Sequence, residues 1–536
     1  MRRPFPLVLV TLISWMLFVQ SGFATTYYIA ANGSDSNNGT SKTTPWLHAP
    51  GMPGVSAKPA SYSPQPGDSF VLRGCDTWTF SGQWNIQSSG SSGNPISYGG
   101  LDQTWYNTSV CPSAWNRPIL SGGGSWPGSS NGTLFETNGK SYLNVEWMEI
   151  TGLYYSGAQA TAIDLNVGTN ISVFDNYIHG WQIGTINGSS EFYGIYRTVA
   201  NSGDQIQLYL NVIDGSDADA NSQGSSCEIC AYLDGPLPGG AVYQNYLANS
   251  NGCFIYGPQS FHDNTLVNCG LNPTPGTGQH NNIFESNTDR PNMTFYNNLI
   301  INGNTGNSNN TTQNQMAPMA GTTSYAFNNV IVNSNPGADH NMMCEAALTN
   351  PGGNCMWFNN TVEGGADSQA PESAGSPPHY SAGVVASGTA TLANNHFITS
   401  AAAPAYDTAG GSISGSPVGE VIQSQAATNA QSYSLTQTFP FSPGSGCTSS
   451  TCSTLQAGTN ESSLCATING LDSAAGAACR NDTTLGVSYD SSTHILTFPA
   501  RASNARPSSG NWDAGAYQFG SGSTVNPPTG LTAVVQ

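Results

Sequence analysis

The sequence predicts an all-β protein, a right-handed parallel β-helix, and three observations carry the prediction. The first is a frame of aromatic, spacer, Asn, spacer, aliphatic, written in full as Tyr296-Asn298-Ile300. It returns as Phe174-Asn176-Ile178, Tyr209-Asn211-Ile213, Tyr243-Asn245-Leu247, Phe327-Asn329-Ile331 and Phe358-Asn360-Val362. Two reduced copies, His262-Asn264-Leu266 and Ala393-Asn395-Phe397, keep the Asn and lose the aromatic. The second is the spacing: from Asn176 the Asn residues follow one another at 35, 34, 19, 34, 31, 31 and 35 residues, a solenoid period. The third is the alternation inside each copy, which is that of a strand. Stacked as parallel coils, the Asn side chains line up. Each amide can donate to one neighbour and accept from the other, beside columns of aromatics and aliphatics. A buried Asn without such a neighbour costs roughly 2–7 kcal/mol.

At the N-terminus, residues 1–24 read as a signal peptide. Arg2 and Arg3 precede an apolar run from Leu7 to Val19, shorter than the roughly 20 residues a membrane span requires. Small residues up to Ala24 then suit cleavage. The expected destination is therefore extracellular. The twelve cysteines suit an oxidising compartment. Neighbours along the chain suggest the pairs Cys75–Cys111, Cys253–Cys269, Cys344–Cys355, Cys447–Cys452 and Cys465–Cys479. Cys227 and Cys230 form a C-x-x-C, read as a local disulfide or two inert thiols, because no second pair supplies zinc spacing.

Residues 25–400 make the helix proper, with a second strand in each coil: Ala162–Leu165, Gly194–Arg197, Glu228–Ala231, Asn282–Glu285 and Gly383–Ala386. From 401 to 520 the frame dissolves into small polar residues with four cysteines, a region expected to continue the helix and cap its open end. Residues 521–536 read as a linker or tail.

Turn-then-strand units open the chain: TTYYIAANGSDSNNGT, the stretch Pro66-Gly67-Asp68 to Arg73-Gly74, Gly93-Asn94-Pro95-Ile96, and Arg117-Pro118-Ile119 to Ser121-Gly122. With the closing Trp512-Asp513-Ala514-Gly515-Ala516-Tyr517, this pattern resembles secreted β-helix proteins of the pectin-lyase-like superfamily, especially relatives of chondroitinase B and alginate lyases. The resemblance implies the fold and a polysaccharide partner, processed by a lyase or glycoside hydrolase in a groove along the second strands. Lyases of that type use a Lys and an Arg on neighbouring coils. Here Lys140 is the one lysine in the body of the helix, and Arg197 and Arg290 are the mid-helix arginines.

Charge narrows the partner. The balance is 12 − 31 = −19, and the signal peptide removes two of the positives. Nucleic acid is excluded, and a polyanionic glycan is repelled unless Ca²⁺ bridges it. A neutral or Ca²⁺-bridged polysaccharide and a monomeric protein are the expectations. Asp214, Asp217 and Asp219 set oxygen ligands at a spacing Ca²⁺ accepts, without an EF-hand pattern.

The densest reactive cluster is His280, Glu285, Asp289 and Arg290 within one coil. Arg197 and Glu228 share its face if the coils register. Asn287-Thr288-Asp289 is similar to the N-T-D of polygalacturonases, whose companion motifs are missing. The alternative is a surface pair of Asp289 with Arg290 and a loop His280. Trp105, Trp115, Trp126 and Trp181 are candidates for sugar stacking or for core and cap. His262 falls in the aromatic column and belongs to the core. Two functions stay open: a carbohydrate-active enzyme, or a non-catalytic glycan-binding or structural rod.

Overall fold

The computed structural model describes residues 24–111, 117–124, 131–155, 159–183, 191–197, 205–218, 228–233, 237–250, 252–255, 258–269, 283–286, 291–301, 314–316, 318–332, 342–345, 353–363, 382–385, 389–399, 406–407, 412–436 and 438–520. Among these, three parallel sheets of 13, 12 and 11 strands run the length of the molecule. We call them sheets 1, 2 and 3. One coil shows the path: Ile171–Phe174 lies in sheet 1, Tyr177–His179 in sheet 2 and Glu191–Arg197 in sheet 3. Ile206–Tyr209 then returns to sheet 1 beside the starting strand, with Phe174 opposite Tyr209. This is a parallel β-helix, and strand twist favours right-handed connections between such parallel strands.

The repeating frame is not one straight strand. Its aromatic ends a strand of sheet 1, its aliphatic lies in sheet 2, and the Asn sits at the corner between them. The residue before each ladder position takes the left-handed conformation: Trp147, Asp175, Leu210, Gln244, Asp263, Asn297, Asn328, Asn359 and Asn394 have φ between 52° and 60°. That explains the Asn-Asn pairs late in the chain. The first Asn tolerates positive φ, and the second joins the column.

The column is continuous. The backbone N–H and side-chain Nδ2 of Asn176 both donate to Oδ1 of Asn211, at 3.2 and 3.1 Å. The pattern repeats through Asn245, Asn264, Asn298, Asn329, Asn360 and Asn395. Glu420 closes it, its Oε1 accepting both Asn395 donors at 3.0 Å. Beside the column, Phe174, Tyr209, Tyr243, His262, Tyr296, Phe327 and Phe358 stack at 4.6–5.1 Å. His262 thus takes its place in the aromatic column. Aliphatic and aromatic side chains from the three sheets fill the interior as one core, including Trp84, Trp181 and Trp357.

All five suggested disulfides form. Cys230 is buried with its Sγ 3.1 Å from Ser250 Oγ, and Cys227 lies outside the described residues.

Coiling continues past residue 400 to Val421–Ser424, the last strand of sheet 2. The chain then runs back along the corner ridge rather than remaining at the end. Gly515 N–H donates to Asn394 O, Ala516 N–H to Thr361 Oγ1 and Arg506 Nη2 to Asn328 Oδ1. Val487 N–H reaches Thr265 Oγ1 at 2.9 Å. An antiparallel hairpin, Ser488–Asp490 with Ile495–Thr497, carries His494 onto Tyr177 at 3.9 Å. No helix among the described residues is long and apolar enough to cross a membrane. Residues 1–23 and 521–536 lie outside the described residues.

Candidate active site on sheet 3

Three of the residues singled out from sequence, Arg197, Glu228 and Glu285, fall on strands of sheet 3. Register separates them. Glu228 lies opposite Phe192, at the start of the strand that Arg197 ends, and Arg197 lies opposite Leu233. Arg197 is fully buried, and its Nη1 donates to Gly168 O in the turn one coil earlier. His280, Asp289 and Arg290 lie outside the described residues. Trp181 is core, stacked on Phe192 at 4.2 Å, and Trp105 packs edge-on against Tyr28. Trp115 and Trp126 lie outside the described residues.

The two described carboxylates of the Ca²⁺ expectation are engaged elsewhere. Asp214 accepts from Ser216 N–H and Asn249 Nδ2. Asp217 accepts from His179 and from Gly180 N–H. Asp219 lies outside the described residues. No three metal-ligating side chains gather at a common point among the described residues.

Register instead assembles a carboxylate pair that sequence reading missed. Glu136 ends one strand of sheet 3, Asp164 ends the next, and the two are direct neighbours. The same row continues as Tyr196, Tyr232, Ile255 and Glu285, so Glu285 shares their line farther along the sheet. Each acid is followed two residues later by an Asn in the left-handed conformation, Asn138 and Asn166. These turns aim backbone donors at the acids: Asn138 N–H at Glu136 Oε1 (3.2 Å) and Asn166 N–H at Asp164 Oδ1 (2.7 Å). Asn166 Nδ2 and Gln83 Nε2 add bonds to the two Glu136 oxygens, at 3.1 and 2.9 Å.

Burial acts on both members of the pair. Burial, reinforced by the neighbouring Glu136 charge, pushes the Asp164 carboxyl up to about 7, against the pull of Asn166 N–H and Arg197. Burial also raises Glu136, but three hydrogen-bond donors oppose it there. Burial raises both acids, and Asp164 carries the additional push of the Glu136 charge, so the pair can hold a proton near neutrality, an arrangement suited to acid–base work. The recurring string acid-x-Asn, Glu136-Thr137-Asn138 and Asp164-Leu165-Asn166, was the available signal.

A second polar cluster lies on sheet 2. His179 Nδ1 is 2.7 Å from Asp217 and its Nε2 3.1 Å from Glu149. Burial opposes its charge, yet these carboxylates bring it up to about 9. His179 stacks on Tyr177, which stacks on His494 of the returning hairpin. With both ring nitrogens on carboxylates and its ring in the Tyr177–His494 stack, this cluster fastens the hairpin.

Apart from Arg197 and Lys140, the described cations lie away from the sheet 3 row. Arg73 pairs with Asp76, Lys42 with Asp102 and Arg501 with Asp482. Arg117 donates to Asp175 O and His494 O, Arg480 to Ser462 O, and Arg506 to Asn328. Lys58 is exposed in the short helix Ala57–Ser61, and Lys140 closes the turn after Glu136.

Neither a protein-family model nor a curated protein matches the chain. Solved structures similar to it include the GH136 lacto-N-biosidase from Eubacterium ramulus, 14% identical over 74% of this chain and 68% of that one, with a TM-score of 0.47. A pectate lyase is 16% identical over 93% and 98%, with a TM-score of 0.43. A PL6 family polysaccharide lyase from Pseudopedobacter saltans is 13% identical over 72% and 85%, with a TM-score of 0.38.

Proposed function

We propose that this protein is a secreted carbohydrate-active enzyme that hydrolyses a glycosidic bond of a polysaccharide at the Glu136–Asp164 pair. The observation that carries the reading is the pair itself, two adjacent carboxyl groups, both raised by burial, on the sheet flanked by the variable connections. Glycoside hydrolysis uses a pair of carboxyl groups, one as acid and one as carboxylate. Asp164 gives its proton to the glycosidic oxygen as the anomeric carbon–oxygen bond breaks. Glu136, on the adjacent strand about 4.8 Å away, stands at the spacing of a nucleophile: its oxygen bonds to the anomeric carbon as that bond breaks, and water then displaces it, giving its proton back to Asp164.

β-Elimination needs a base and a positive charge at the developing enolate. Among the described cations Arg197 acts on Asp164 and is buried against Gly168, and Lys140 lies in the turn after Glu136 without acting on either carboxyl. That favours hydrolysis over the lyase alternative. Secretion is supported by the five disulfides, which persist in oxidising compartments. The test is release of reducing ends from a glycan panel by wild type, Asp164→Asn and Glu136→Gln, with folding checked by thermal melts. Product from wild type and none from the variants supports the reading. Glycan retention without product from wild type assigns a binding rod instead.

A further inference from the structure

We infer that the substrate is an uncharged pyranose chain, and that Tyr196 is the platform for the sugar next to the cleaved bond. The inference rests on the Glu136–Asp164 reading and adds a substrate class and a specificity residue to it.

Position comes first. Tyr196 is the in-register neighbour of Asp164 on the next coil, so their backbones lie about 4.8 Å apart. A chain laid along the coil stack and cut at Asp164 must pass Tyr196 on the side away from Glu136. The ring is also held in place. Tyr193, itself buried, stacks on it at 4.5 Å with 28° between the planes, while Tyr196 stays partly exposed. A preorganised ring is an inexpensive binding surface, because little side-chain freedom is lost when a ligand covers it. Pyranose rings have an apolar face of C–H groups that packs on an aromatic plane.

Charge then selects among sugars. The row from Glu136 through Asp164 to Tyr196 brings two carboxyl groups and a phenol to the substrate. Of the described cations near the row, Arg197 is buried with its guanidinium on Gly168 O, and Lys140 lies in the turn of the Glu136 coil, two coils from Tyr196; the whole chain carries −19. A uronate placed on Tyr196 would set its carboxylate near Asp164 with no described cation beside it other than the buried Arg197. Like charges in a partly buried site repel strongly. A neutral hexose or pentose ring incurs no such cost.

The experiment compares full-length wild type, Tyr196→Ala, Tyr196→Trp and Asp164→Asn on neutral polysaccharides and on polygalacturonate and alginate. Reducing ends and the ultraviolet absorbance of unsaturated uronates are read together, with melts for folding. The expected result is hydrolysis of a neutral glycan alone. Tyr196→Ala should raise KM roughly tenfold or more with kcat changed far less, the equivalent of about one aromatic contact, and Tyr196→Trp should restore it. Faster cleavage of a uronate polymer, or an unchanged KM in folded Tyr196→Ala, overturns the inference. The underlying site reading fails separately, through an Asp164→Asn variant that keeps wild-type turnover. Absence of product leaves a binding readout: retention by uronate gels and not neutral ones overturns the substrate class, and neutral retention lost in Tyr196→Ala supports it.

Discussion

Two regions of this molecule solve the same stacking problem in different ways. Along the ridge from sheet 1 to sheet 2, each coil from Trp147 to Asn394 turns through the same corner, a left-handed residue followed by the ladder position. On the flanks of sheet 3 the connections vary. Residue 251 alone separates Ser250 from Gly252, whereas residues 270–283 separate Cys269 from Phe284. The ridge repeats because a buried amide column is satisfied only in register. The sheet 3 side has no such column and can vary its loops, which is where sites on rigid scaffolds usually arise. Stability and chemistry should therefore be separable by mutation.

The largest expected effect is chemical. Asp164→Asn removes the protonated acid and should lower kcat about 10²–10⁴-fold, with the melting temperature nearly unchanged. Initial rates and thermal melts on the same preparation check this. A loss of folding would show that the two regions are not separable.

Next comes the ridge. Asn329→Ala deletes the acceptor for both donors of Asn298 and the side-chain donor to Asn360. Leaving these buried groups unmet should cost about 2–4 kcal/mol, read by denaturant unfolding, while turnover per folded molecule holds.

The ridge was legible in the sequence for the reason that makes it stable. A residue such as Asn298, costly to bury alone, recurs at one coil length, and the Asn-Asn pairs mark the corner. The disulfides were legible because their partners are close along the chain. The bend at each Asn was not, since period-two alternation passes through a corner without interruption. Glu136 and Asp164 were overlooked because their significance depends on register between unlike strings, LFETNG and AIDLNV, and on burial. Arg197 looked catalytic by type. Its place on the interior side of the turn, against Gly168, comes from tertiary packing alone.

A smaller effect tests the hairpin that the ridge carries. His179 has a folded pKa of about 9 against an ordinary 6.5. Its contribution is fully present below the ordinary value and is lost as pH rises from 6.5 through 9. Stability should fall across that window by up to about 3 kcal/mol, and His179→Ala should flatten the slope. Unfolding curves at several pH values decide it.

The smallest effect links the two sides of the sheet 3 turn. Arg197 lowers the Asp164 carboxyl. Asp164 must be protonated to act, so activity should decline as pH rises through about 7. Arg197→Met, where it folds, should move that limb upward by roughly half a pH unit. A pH–rate profile of kcat/KM measures the shift.

The most direct test of the central claim is product analysis on a glycan panel, with wild type and Asp164→Asn side by side at pH 5–6, below the Asp164 value of about 7. Hydrolysis at Asp164 gives new reducing ends from wild type, no unsaturated uronate, and neither product from the folded variant. Unsaturated uronate from wild type, or equal turnover by Asp164→Asn, would contradict it.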